Sequence, residues 1–438
     1  MSIDRDRLER LPTPSSRRLA VRVRPDALRR IRAGHPWVYD RSIESVSHGD
    51  GRAGELGVVF DRRRRFAAIG LWDPRSPIRL RILHVGQPTT IDAAWFADRV
   101  AAAVAARREL LDRHDRSGLA PYGPGFRAVN GENDGLPGLV VDCYDHVAVV
   151  KLYSGVWFPH LRAVVAGVAA ATGTDAVVLR LARNLAGADT HGLADGDVVA
   201  GDLADGPVLF TEGGLTFEAD VRRGQKTGHF LDQRSNRLAV GCLADGKRVL
   251  DVFASTGGFT VHAAAGGATS VHAIDASAPT LEVIARNLGH NAAVAGVASC
   301  PVTTEVGDAF DTMGDHGRAG NRYDLVIVDP PSFAQRATAV SRGRAAYAKL
   351  TKLAIGLIEE GGILVQASCS ARITPDQFFA TVTEAAADHG ATLTELCRSG
   401  HDIDHPVTFD EGGYLKAGFW RVDPGRPRRA VGRAGGRR

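Results

Sequence analysis

Two short runs carry groups able to do covalent chemistry. In YDLVIVDPPSF, Tyr323 to Phe333, an apolar strand delivers the carboxylate of Asp329 onto a turn stiffened by Pro330 and Pro331. Such a turn suits a group that must hold a planar substrate in one orientation, although an acid ending a strand also serves as a simple turn cap. In ILVQASCS, Ile363 to Ser370, a second apolar strand presents Cys369 between two serines. A lone cysteine there is more often a small hydrophobe. The flanking serines and a strand end facing Asp329 favour a nucleophile, because a thiolate is the side chain best suited to add to a weakly electrophilic ring carbon.

Positioning these groups requires a sheet, and Lys247 to Asp275, KRVLDVFASTGGFTVHAAAGGATSVHAID, begins one. It reads as a buried strand over Arg248 to Phe253, a tight turn over Ala254, Ser255, Thr256, Gly257 and Gly258, a helix, and a second strand ending on Asp275. This is the first half of a doubly wound, Rossmann-like α/β sheet, whose ligand crevice lies beyond the carboxyl ends of the strands. A helix over Pro279 to Gly289 follows, then a strand over Val302 to Val306 leading to Asp308. Beyond the Asp329 strand, Arg342 to Glu359 reads as a helix ended by Gly361 and Gly362. Four strand ends thus converge on one crevice. Its glycines let the backbone approach a ligand, the helix start offers N–H groups to a carboxylate, and Asp275 is placed to accept both hydroxyls of a ribose. The turn lacks the G-x-G-x-x-G spacing of dinucleotide folds, so S-adenosylmethionine fits it better than NAD or FAD. On this stretch alone, other nucleotides and a purely structural unit stay open.

A chain of 438 residues with 44% hydrophobic content fills two or three domains. We expect a flexible arm over 1–17, a small β-rich domain over 18–88, a central α+β domain over 89–215, the Rossmann-like domain over 216–425, and a basic disordered tail over 426–438. No run is long enough for a membrane span and the N-terminus has no signal-peptide core, which predicts a cytoplasmic protein with no membrane partner. The five cysteines, Cys143, Cys242, Cys300, Cys369 and Cys397, are widely spaced without a C-x-x-C pair, so neither a disulfide framework nor a zinc site is expected. No metal is assigned. The net charge of +4 is concentrated in the six arginines of the tail, with ten arginines in the first 32 residues and a further run at Arg62 to Arg65. Phosphates could dock there, or the arginines could be simply solvated.

Three further stretches have two readings each. His35-Pro36-Trp37-Val38-Tyr39 beside Arg41 could stack on nucleic acid, but core packing is favoured. Asn130-Gly131-Glu132-Asn133-Asp134-Gly135 invites calcium, yet the EF-hand spacing fails and an Asx-stabilised turn is preferred. Gly224 to Arg237, GQKTGHFLDQRSNR, is not a Walker loop and is read as a lid or wall of the cofactor pocket rather than an exposed charged turn.

These motifs together resemble the RlmI family of ribosomal RNA large-subunit (cytosine-5-)-methyltransferases across nearly the whole chain. HPWVYDRSI is similar to a turn in that family's PUA domain, Phe126 to Asp142 to its central domain, and GQKTGHFLDQRSNR to its lead-in motif. VLDVFASTGGFT resembles its cofactor motif, VDPPSFA and QASCSARI its catalytic motifs, and DHPVTFDEGGYLKAGF its C-terminal strand region. The resemblance implies S-adenosylmethionine as cofactor, with Phe253 to Gly258 around the methionine part, Asp275 on the ribose, and Asp308 and Ala309 at the adenine. It implies Asp329 at the reacting centre, Cys369 as nucleophile, and large-subunit ribosomal RNA as partner. Two-cysteine RNA cytosine methyltransferases carry a second Cys where this chain has Pro331 and Ser332, which argues for the RlmI-like subgroup. The proton-removing base stays open between Asp329 and a water, and His405-Pro406 beside Asp404 either lines the substrate pocket or forms a structural turn. Methylation of a purine nitrogen, with Cys369 merely packed, and a non-catalytic RNA-binding assembly factor are the rival functions. The oligomeric state, including a homodimer, is open.

Overall fold

The computed structural model describes residues 8–47, 49–118, 120–334 and 336–424. The basic tail and the start of the N-terminal arm lie outside the described residues. The chain divides into two units, one running to Arg234 with Asp402–Gly412 added, the other comprising Ser235–His401 and the chain from Gly413 onward.

In the first unit, β1 (Arg18–Val23), β2 (Trp37–Tyr39), β3 (Ile43–Val46), β4 (Leu56–Phe60), β5 (Phe66–Trp72) and β6 (Ile78–Val85) form a sheet of order β2-β6-β5-β4-β1-β3, with helix α1 at Pro25–Arg32. Alternation sets its faces: Leu19, Val21 and Val23 point inward while Arg18 and Arg22 are exposed. The Arg62–Arg65 run is a turn around Asp61, which accepts the backbone N–H of Arg63 and Arg65 at 2.9 Å each. All four guanidinium-bearing residues are therefore left on the surface.

After helix α2 (Ala93–Asp115) come β7 (Phe126–Asn130), β8 (Leu139–Tyr144), β9 (Val147–Leu152), α3 (Leu161–Thr172), β10 (Ala176–Leu181) and β11 (Val198–Gly201), in a sheet of order β11-β10-β9-β8-β7. The strands β12 (Val208–Glu212) and β13 (Leu215–Ala219) make a hairpin. Leu8 and Leu11, expected in a flexible arm, are instead 0% and 6% exposed and belong to the core beneath this sheet. Two leucines entering an apolar cluster, with Arg162 donating to the Leu8 carbonyl at 2.8 Å, outweigh the charged and proline-rich character that suggested mobility.

The acidic turn after β7 is stabilised by its own side chains. Asp134 accepts the Asn130 N–H at 2.6 Å and takes a two-pronged ion pair from Arg107 at 2.7 Å. Glu132 accepts the indole N–H of Trp37 at 2.9 Å, and Trp37 lies edge-on to Phe409 at 5.2 Å. The segment Asp402–Gly412 is thereby bound into this unit, with the Asp404 carboxylate accepting the Arg127 N–H at 2.7 Å and the Pro406 carbonyl accepting from Asn130 at 2.9 Å. His405 is buried and bonded to Asp404, a structural turn. Burial alone would raise the Asp404 carboxyl, but His405 and Arg234 hold it below the usual range. In GQKTGHFLDQR, Lys226 pairs with Asp232 at 2.6 Å and Thr227 donates to Asp142 at 2.6 Å, which fastens the motif to β8.

The chain enters the second unit along α4 (Arg234–Leu243). There follow β14 (Arg248–Val252), α5 (Gly258–Ala265), β15 (Ser270–Asp275), α6 (Ala278–His290), α7 (Ala295–Ser299), β16 (Val302–Val306), α8 (Ala309–Arg318) and β17 (Tyr323–Val328). The unit is completed by α9 (Val340–Leu357), β18 (Ile358–Ser368), α10 (Pro375–Asp388), β19 (Ala391–Ser399) and β20 (Lys416–Pro424). The sheet order is β16-β15-β14-β17-β18-β20-β19, and the first five strands are parallel while β20 runs antiparallel to both neighbours. Both faces are covered: Leu250, Val326 and Leu364 face α8, α9 and α10, whereas Val249, Leu325 and Val365 face α4, α5 and α7.

A helix boundary differs from expectation. The helix before Gly361-Gly362 ends at Leu357, and the glycines lie inside β18. There the register jumps from Tyr323–Ile358 to Leu325–Ile363, with Gly361 at φ +74°. The glycines accommodate a bulge rather than cap the helix, and a Cβ on Gly362 would lie 2.9 Å from the Asp324 carbonyl.

Candidate active site

Parallel pairing brings the carboxyl ends of β14, β15, β16, β17 and β18 to one edge of the second unit's sheet. Asp275, Asp308, Asp329 and Cys369 lie at or just past those ends. The turn after β14 is locally strained: Phe253 and Ser255 hold φ of +65° and +50°, values rare for side chains with a Cβ, and Gly257 holds +80°. Gly257 is also a close approach, since an added Cβ would lie 2.8 Å from Ile284 Cγ1. Asp275 holds the turn in shape, one oxygen accepting the Ser255 N–H and the other the Ser277 N–H, each at 2.9 Å.

This cradle fits a nucleoside cofactor that carries a carboxylate. The buried Ser255 hydroxyl has no hydrogen-bond partner among the described residues, and Gly257, the residue before α5, gives the helix no side-chain cap. The Thr260 N–H is taken by Asp251, so an anion would meet the N–H groups of Gly258 and Phe259. Asp308 caps α8 by accepting the Phe310 and Asp311 N–H groups at 2.9 and 3.3 Å, and Ala309 beside it is buried. Gly307 donates to the Asp275 carbonyl at 3.1 Å and thereby joins the second and third strand ends. Behind the turn, burial pushes the Asp251 carboxyl up to about 6, with Thr260 donating to it at 2.7 Å.

The two loops singled out for chemistry are clasped together. The Cys369 thiol lies 3.9 Å from the Pro330 carbonyl, and Ser332 Oγ is 3.1 Å from Ser370 Oγ. Tyr347 of α9 completes the clasp, its hydroxyl 3.1 Å from the same Ser370 oxygen. Burial pushes the Tyr347 phenol up to about 12; bonds to Ser368 and Ser370 oppose this, and the nearby charges of Cys369 and Asp329 add to it.

Lys416 is a site residue that the sequence reading did not single out. It stands opposite Ser368 in the β18–β20 pairing and is 2% exposed. Its ammonium donates to the carbonyls of Ser370, Ile373 and Tyr414 at 2.5, 2.6 and 3.1 Å, gathering the loop that follows Cys369. Burial pushes its pKa down to about 8, with the Cys369 charge acting in the opposite direction. The available signal was a lysine flanked by apolar residues in YLKAGF.

An S-adenosylmethionine-dependent methyltransferase family model matches residues 140–410, and a PUA-like domain model matches residues 21–84. A ribosomal RNA large subunit methyltransferase of Deinococcus radiodurans is 46% identical over 415 residues, spanning 94% of this chain and 99% of that protein. Ribosomal RNA large subunit methyltransferase I of Shewanella denitrificans is 31% identical over 418 residues, spanning 92% and 99%. Among solved structures, a putative methyltransferase from Streptococcus mutans superposes with a TM-score of 0.76 at 20% identity, over 92% of this chain and all of that one, which bears on the fold alone. Taken with the cradle after β14 and the sheet order, these matches establish that the chain belongs to the S-adenosylmethionine-dependent ribosomal RNA large subunit methyltransferases that carry a PUA-like domain.

Proposed function

We propose that this methyltransferase forms 5-methylcytosine in large-subunit ribosomal RNA through a covalent adduct with Cys369. The observation that supports the reading is the clasp between the loops that carry Asp329 and Cys369, made by the Cys369 thiol against the Pro330 carbonyl and by Ser332 with Ser370. Phe253 to Gly258, Asp275, Asp308 and Ala309 would hold the cofactor, which supplies a methyl group on a sulfonium centre.

Carbon 5 of cytosine is a poor nucleophile until a thiolate adds to carbon 6. Cys369 performs that addition, giving carbon 5 enamine character so that it accepts the methyl group. Asp329 hydrogen-bonds the N3 and N4 edge, where the ring gains charge and a proton. A base then takes the carbon 5 proton, the C6–S bond breaks, and the Cys369 thiolate leaves. The target base must leave its stack to enter the crevice. The exposed arginines around Asp61 are placed for phosphate contact elsewhere on the RNA.

Mass spectrometry of ribosomal RNA from a deletion strain tests the product. Loss of one large-subunit 5-methylcytosine, restored by the wild-type gene and not by Cys369→Ala, is expected. Loss of a methylated purine with 5-methylcytosine intact overturns the reading.

A further inference from the structure

Away from the crevice, at the β16 edge of the sheet, three side chains from separate elements point at one spot. His272 of β15 and His316 of α8 both place Nε2 against the same oxygen of Glu305 on β16, at 3.0 and 2.9 Å. One donor atom from each residue lies within 4.8 Å of the other two. Tetrahedral zinc with bonds of about 2.0–2.1 Å sets its ligands roughly 3.3 Å apart, so small ring movements would close this set around an ion.

The second nitrogen of each ring is also partnered. His272 Nδ1 is 2.7 Å from Thr303 Oγ1 and His316 Nδ1 is 2.8 Å from the Tyr323 hydroxyl, with Asn321 Nδ2 at 3.2 Å. A hydroxyl both donates and accepts. With Glu305 accepting from both Nε2–H groups, Thr303 and Tyr323 donate to Nδ1. With an ion on both Nε2 atoms, each ring proton sits on Nδ1 and the same hydroxyls accept it, while the Asn321 amide has to turn its oxygen toward His316; the outer hydroxyls thus serve both states without net loss of a proton. The histidines are mostly buried, at 19% and 12% exposure, whereas Glu305 at 40% leaves a side open for a water ligand.

We propose that His272, Glu305 and His316 form a binding site for one zinc-class divalent transition ion, completed by solvent. Two imidazoles and a carboxylate select a borderline ion over magnesium or calcium, which take oxygen ligands. The ion is structural: it fastens β16, the edge strand with little buried surface, to β15 and α8.

The test uses the full chain stripped with a chelator and then titrated with Zn²⁺ alone in a calorimeter. One saturable equivalent and a raised Tm are expected, both lost in His316→Ala and in Glu305→Gln. Tyr323→Phe, which removes an outer partner and no ligand, should weaken Zn²⁺ by about tenfold or more. Co²⁺ bound to wild-type protein should give the visible absorption of a four-coordinate nitrogen and oxygen site, a readout independent of whether any variant folds. Absence of saturable Zn²⁺ binding by wild type, undiminished binding by His316→Ala, or a thiolate-to-cobalt charge-transfer band would each overturn the proposal.

Discussion

The Cys369 thiol sits 3.9 Å from the carbonyl of Pro330, the residue after Asp329, so the expected nucleophile lies against the loop that carries the expected base-holding residue. Adjacent parallel strands β17 and β18 fix that relationship, since their ends emerge side by side on one edge.

Removing the thiol tests its role directly. Cys369→Ala should lower kcat by more than about a thousandfold if the adduct is obligatory, while calorimetry still shows S-adenosylmethionine binding. Full turnover by the variant would assign the methyl group to a different acceptor chemistry.

Lys416 makes a second prediction. Lys416→Met would leave the Ser370, Ile373 and Tyr414 carbonyls without their shared donor, at a cost of roughly 1–3 kcal/mol in urea unfolding. Because the loop it gathers carries Cys369, kcat should fall much further than cofactor affinity. An equal loss in both would mark Lys416 as a stabiliser of the domain only.

Gly257→Ala should damage the cofactor cradle. The position combines φ of +80° with 2.8 Å from an added Cβ to Ile284 Cγ1, so the substitution should cost about 1–3 kcal/mol. Calorimetry should show S-adenosylmethionine affinity lowered by about tenfold or more, as expected for a displaced turn.

Asp251 predicts a pH dependence. Its carboxyl is raised to about 6 by burial, so the fold favours the protonated form. The stability this confers is complete below the unfolded pKa, near 4, and is lost as pH rises through 6. Denaturant midpoints of wild type and Asp251→Asn, compared across this range, should show wild type losing on the order of 3 kcal/mol relative to the variant. A difference that does not change with pH would show that folding does not raise the Asp251 carboxyl.

RNA affinity should fall steeply with salt. Arg62→Gln and Arg63→Gln should each reduce the log–log salt slope by about 1 if these exposed arginines touch phosphates. An unchanged slope would confine phosphate contact to other surfaces.

The doubly wound sheet was legible because its strands are continuous apolar runs that each deliver a polar residue, as Tyr323 to Asp329 and Ile363 to Cys369 do. Local pattern suffices there, since parallel strands buried on both faces leave little choice of residue. Long-range pairing was not legible. Asp404 and Pro406 join the first unit through bonds to Arg127 and Asn130, more than 270 positions away, and no periodicity records such a return. Gly361-Gly362 read as a helix end because a glycine signal is the same for a cap and for a bulge; the partner strand decides between them. His272, Glu305 and His316 are scattered over three elements with no motif spacing, so only the folded sheet brings them together.

The antiparallel placement of β20 gives strand register a functional weight. Ser368 faces Lys416 only in the observed alignment, and Trp420 folds over Gly418 in space that any side chain at 418 would need. A slip of one residue would turn Lys416 to the opposite face of the sheet and present Leu415 or Ala417 to the loop after Cys369. Single-residue insertions or deletions within β20, although distant in sequence from every expected reacting group, should therefore silence the enzyme more thoroughly than many substitutions closer to the crevice.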